Sequence, residues 1–101
     1  MSSVNGSSRR YTVSMSKLQR ETLMLLHQQE NLTGNGQRFV TSYRTIIRRL
    51  QRDPQIFGKK LYTPPALGLD VRQAVLDRIV VDDGVHEERT IVFTRGFKLL
   101  S

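Results

Sequence analysis

The stretch Gln37–Pro54 does most to limit what this chain can fold into. Phe39, Val40, Tyr43, Ile46, Ile47 and Leu50 fall at i, i+1, i+4, i+7, i+8 and i+11, the spacing that lines one face of an α-helix. Arg44, Arg48 and Arg52 recur at four-residue steps on the other side, flanked by Arg38 and Arg49. Asp53-Pro54 closes the helix, because proline pushes the residue before it out of the helical region. A helix with one continuous apolar face has to be laid against something, so the rest of the chain must supply a surface.

That surface is expected to be a sheet. Upstream, Tyr11–Met15 alternates and reads as a short strand. Ser16 then opens a helix, with Gln19 three residues on as the partner in a capping box and Glu21 near the start, where the helix dipole favours an anion. Leu18, Met24, Leu25 and Leu26 are expected to form its buried side. The breaker cluster Asn31–Gly36 predicts a turn between two antiparallel helices. Downstream, Gln55–Gly68 reads as a connection, with Ile56-Phe57 under the helix end and a stiff Thr63-Pro64-Pro65. From Leu69 the period changes. Leu69–Val75 alternates, a tight turn near Leu76-Asp77 leads into the β-branched run Arg78–Val85, and the polar segment His86–Arg89 leads into Thr90–Arg95. Gly96 is expected as a bulge before Phe97–Leu100. Such short connections imply neighbouring antiparallel strands. The expected class is α+β: a short N-terminal strand, an antiparallel helical hairpin, then a three-stranded antiparallel meander. One domain spans 11–101, and residues 1–10, rich in Ser and lacking an apolar run, are expected to be a disordered tail.

A chain of 101 residues can bury a modest core without help from disulfides or metals, and it contains no cysteine. No apolar run approaches the roughly 20 residues of a membrane span, and the first ten residues have no secretory apolar segment. A cytoplasmic location away from membranes is the expectation. Sixteen Lys and Arg face nine Asp and Glu, a formal net charge of +7, and most of the cations are arginine. Arginine offers a planar fork of donors suited to phosphate and carboxylate oxygens. The charge therefore points to nucleic acid or an acidic protein as partner.

Two groups of cations are candidate binding elements. Arg44, Arg48 and Arg52 stand about 6 Å apart along their helix and could track phosphates; equally, they form the polar back that any amphipathic helix needs. Lys59 and Lys60 open the connection to the sheet, Arg72 and Arg78 lie on successive strands, and Arg95 and Lys98 lie on the last. If these converge on one concave face they would grip a nucleic-acid backbone and stabilise charge developing on a phosphate. The competing expectation is that they alternate between faces and pair with Asp70, Asp77, Asp82, Asp83 or Glu88. Tyr62 is placed to stack on a base or to pack against Pro64. His86-Glu87-Glu88 cannot converge on one ion, so no metal is expected, and no cofactor signature is present. His27 and Tyr43 read as structural.

The order of elements resembles the RelE/ParE toxin superfamily of bacterial toxin–antitoxin systems. The resemblance rests on Leu50-Gln51-Arg52-Asp53-Pro54, Gly58-Lys59-Lys60-Leu61, Val71-Arg72, Arg78-Ile79-Val80-Val81 and Ile91-Val92-Phe93, and extends over Tyr11 to Leu100. It implies an endoribonuclease acting on ribosome-bound mRNA, with Lys59, Lys60, Arg72 and Arg78 in catalytic roles and Arg95 or Lys98 assisting near the end. It equally implies the ParE alternative, a DNA gyrase inhibitor that cleaves nothing, or a non-toxic interaction module of the same fold. A cognate antitoxin with an acidic segment would be the partner. The nucleases of this superfamily usually carry a tyrosine or histidine acid/base after the last strand; here the sequence given has neither in its final residues.

Overall fold

The computed structural model describes residues 10–100. Residues 1–9, which make up nearly all of the expected tail, and Ser101 lie outside the described residues. The elements are β1 (Thr12–Ser14), α1 (Lys17–Leu32), α2 (Gly36–Arg52), β2 (Lys59–Tyr62), β3 (Asp70–Leu76), β4 (Ile79–His86) and β5 (Ile91–Leu99). The five strands form one mixed sheet in the order β1-β5-β4-β3-β2, parallel between β1 and β5 and antiparallel elsewhere.

The α+β class holds, but the sheet is larger than a three-stranded meander. Lys59–Tyr62, expected within a connection, is a fourth antiparallel strand at one edge, and β1 adds a fifth at the other. β2 is exposed along its whole length and its register with β3 slips between Lys60 and Tyr62. Its entry from α2 requires Gly58. This residue has φ 88°, and a Cβ there would lie 2.5 Å from the Gln73 carbonyl oxygen and 2.7 Å from the Ala74 Cβ.

α2 forms where its periodicity predicts. Phe39, Ile46 and Leu50 are buried, with Tyr43 packed beside them edge-on to Phe97, and Asp53 caps the end. They meet Ala74, Ile79, Val81, Val85, Val92 and Phe97 from the sheet. α1 differs from expectation. Its buried line is Leu23 and Glu30, with Leu26 and His27 partly covered, and His27 stacks on Phe39. Leu18, Met24 and Leu25, expected inside, are exposed. The Ser16 cap forms, its hydroxyl accepting from the Gln19 N–H at 3.2 Å, but the Gln19 side chain does not close the box. Its amide oxygen accepts instead from the Thr94 hydroxyl on β5.

The β3–β4 turn is two residues long, Leu76 pairing with Ile79, and Asp77 adopts φ 58°, a left-handed conformation that aspartate tolerates better than most residues. β5 carries the expected bulge: Asp82 faces Gly96 while Asp83 faces Thr94, leaving Arg95 as the extra residue. The bulge lets Thr94 and Phe97, three apart, both turn inward and be buried.

Candidate functional site

Residues directly opposite in a sheet point to the same face, so the register sorts the candidate cations. Ile79, Val81, Asp83 and Val85 alternate toward the helices on β4. Across the ladder this side includes Arg72 opposite Asp83, Lys60 opposite Arg72, and Thr94 opposite Asp83. The reverse side carries Lys59 opposite Gln73, Tyr62 opposite Val71, and Lys98 opposite Val80. The basic residues of the strands therefore do not converge on one face: Lys60 and Arg72 lie on one side, Lys59 and Lys98 on the other.

Their environments differ as well. Lys59, Lys60, Arg95 and Lys98 are exposed and take part in none of the described ion pairs. Of the acids expected to neutralise them, Asp70 accepts from Thr63 at 2.7 Å, Asp82 from Gln73 at 2.8 Å, and Asp77 from Arg38. Tyr62 is half exposed on the edge strand. On α2, Arg44, Arg48 and Arg52 are exposed and take part in none of the described ion pairs, Arg48 donating to Thr45. Their neighbours Arg38 and Arg49 are taken. Arg38 forks onto Asp77 at 2.7 and 2.6 Å, and Arg49 holds Asp53 while lying 4.7 Å over the Phe57 ring.

Arg78 is committed to structure. Its guanidinium donates to both oxygens of Glu30 at 2.8 and 3.1 Å, and Glu30 is only 5% exposed. Nothing in the sequence spacing announced this pair, which joins residues 48 apart. Arg72 is 7% exposed and donates to the Gly58 carbonyl at 3.2 Å, while its Nε has no partner. A substrate approaching the surface meets Lys60 before it meets Arg72.

Asp83, which the sequence offers only as a neutralising acid, is the most unusual group here. It is 0% exposed, and neither carboxylate oxygen has a hydrogen-bond partner. Removal from water pushes its pKa up from 3.8 to about 7, against the pull of Arg72 and with a further push from Asp82. Strand parity was the available signal: in Val81-Asp82-Asp83-Gly84-Val85 one aspartate has to share the face of the two valines. Among the described residues no cluster of His, Cys, Asp or Glu could hold a metal ion, and no helix is long and apolar enough to cross a membrane.

The row Lys60–Arg72–Asp83–Thr94 thus runs from an open edge into a sealed interior. Its outer end can bind anions; its inner end can store a proton. Compared with protein-family models, curated proteins and solved structures, the chain matches none of them.

Proposed function

We propose that this chain is a RelE/ParE-like toxin component that grips ribosome-associated mRNA through exposed cations at the β2 edge. The observation carrying this reading is the strand Lys59-Lys60-Leu61-Tyr62, exposed throughout, with two lysines outside the described ion pairs and a tyrosine ring open for stacking. Arg44, Arg48 and Arg52 on α2, with Arg95 and Lys98 on β5, are further exposed cations. Lysines on an edge strand also discourage sheet-to-sheet aggregation, a role compatible with RNA binding. The reading is one of binding rather than cutting, because Arg72 is sequestered and Arg78 is held by Glu30. Controlled expression in a bacterial host with a growth readout tests it. Wild type should arrest growth while leaving mRNA uncleaved, and Lys59→Ala with Lys60→Ala should relieve the arrest while the purified variant stays folded. Unimpeded growth on wild-type expression would remove the toxin reading.

One observation favours a second reading. Leu18, Leu25 and Leu32, 72%, 62% and 88% exposed, follow one another at seven-residue steps along α1, an apolar stripe suited to a protein target. That supports a ParE-like gyrase inhibitor acting through the helical hairpin. Inhibition of purified gyrase that Leu25→Lys abolishes would favour it over RNA binding, and full supercoiling activity at excess protein would exclude it.

A further inference from the structure

We infer that Asp83 is an internal counter-ion whose protonation sets how much of the Arg72 charge is felt by a polyanion bound at the Lys60 end of the row. The inference rests on the RNA-binding reading and adds a regulation to it: affinity that rises as pH falls through neutrality.

Geometry carries the argument. Lys60, Arg72 and Asp83 are successive cross-strand partners on one face, which separates neighbouring backbones by only about 5 Å. Lys60 is exposed, Arg72 nearly buried and Asp83 wholly buried, so the two inner charges interact through a medium that screens poorly. Arg72 and Asp83 do not hydrogen-bond to each other. Arg72 spends one N–H on the Gly58 carbonyl, and its Nε and both Asp83 oxygens remain without partners. A carboxylate left this way gains little from being ionised. It is held near the point where either state is accessible, consistent with its raised pKa of about 7.

The other groups around Asp83 leave it as the titrating member of the row. β5 presents Thr94, which is bonded to Gln19 of α1 and to the Ser14 carbonyl of β1. α2 contributes the apolar Ile46 and Leu50 to this core. On β4, Asp82 is turned to the other face and held by Gln73. When Asp83 is ionised it cancels much of the Arg72 field; when it is protonated, the Arg72 charge adds to that of Lys60. By linkage, a polyanion at Lys60 must then draw a proton onto Asp83.

The test is binding of a uridine oligonucleotide of about 20 residues at pH 6 and pH 8, at one ionic strength, to wild type and to Asp83→Asn. Wild type should bind roughly three- to tenfold tighter at pH 6. Asp83→Asn, which imitates the protonated acid, should bind at both pH values with the pH 6 affinity. Lys60→Ala should weaken binding at both. Affinity that is flat with pH in wild type, or a slope that persists in Asp83→Asn, would overturn the inference while leaving the RNA reading standing. No binding at either pH would overturn both. Should Asp83→Asn fail to fold, calorimetry on wild type in buffers of different ionisation enthalpy serves instead. Net proton uptake on binding at pH 7 is expected, and its absence overturns the inference.

Discussion

The β3–β4 hairpin handles charge in two opposite ways within a few residues. At its turn, every carboxylate oxygen has donors. Asp77 accepts from Arg38 twice and from Ser42 at 3.1 Å, and Glu30 receives Arg78. These contacts pin the turn to the start of α2 and the end of α1, locking the helical hairpin to the sheet. In the body of the same hairpin, Arg72 and Asp83 lie opposite each other, and the carboxylate has no donor at all. The turn uses charge to fix geometry. The row leaves charge unresolved, which stabilises nothing but makes the protonation state responsive.

The two aspartates therefore shift in opposite directions. Hydrogen bonds from Arg38, aided by Ser42 and opposed by partial desolvation, hold Asp77 below the ordinary carboxylate range. Its contribution to stability is present above the unfolded-state value near 3.8 and is lost as pH falls through the lower folded value. Asp83 is raised to about 7. Between 3.8 and about 7 the folded protein holds a proton that the unfolded chain has released, so stability declines as pH rises through that window and levels off above it.

Breaking the turn should have the largest effect. Arg78→Ala leaves the buried Glu30 carboxyl without its donor, and a loss of about 3–5 kcal/mol is expected, read as a shift in the urea midpoint. Next comes the row. At pH 8, Asp83→Asn should be more stable than wild type by about 2–3 kcal/mol, less than the full pKa shift because water penetration relaxes a buried carboxylate. Near pH 4 the two should match, and wild type alone should show the decline between them in chemical denaturation. The smallest effect belongs to Asp77→Ala, since Arg38 is largely in water. It should lower the melting temperature less than Arg78→Ala does, and the gap from wild type should close as the pH is taken into the acid range. Equal stability of wild type and Asp83→Asn at every pH would erase the contrast between turn and row.

These regions also mark where sequence reading succeeds. α2 was legible because its apolar residues share one phase, and the bulge near Gly96 because glycine interrupts a β-branched run. α1 departs from its expected face for a physical reason. Its leucines fall in two sets, Leu18, Leu25 and Leu32 on one stripe and Leu23 and Leu26 beside it, so periodicity does not choose between them. The choice is made by polar residues: Gln19, Leu23, His27 and Glu30 lie on the packed side because Gln19 reaches Thr94 and Glu30 reaches Arg78. β2 escaped because Lys-Lys-Leu-Tyr is short, exposed on both faces and only weakly strand-forming. Of the candidate site, the exposed lysines and Tyr62 were visible as chemical types. That Lys59 and Lys60 face opposite sides, and that Arg72 leads inward to Asp83, required the register.

The central functional claim is that Lys59 and Lys60 contact phosphates, and salt dependence tests it most directly. Affinity for the same uridine oligonucleotide would be measured across a range of salt concentrations for wild type and for the Lys59→Ala, Lys60→Ala double variant. Each lost contact to a single strand should reduce the slope of log affinity against log salt by about 0.7, so the double variant should be shallower by about 1.4. Identical slopes in the two proteins would contradict the account.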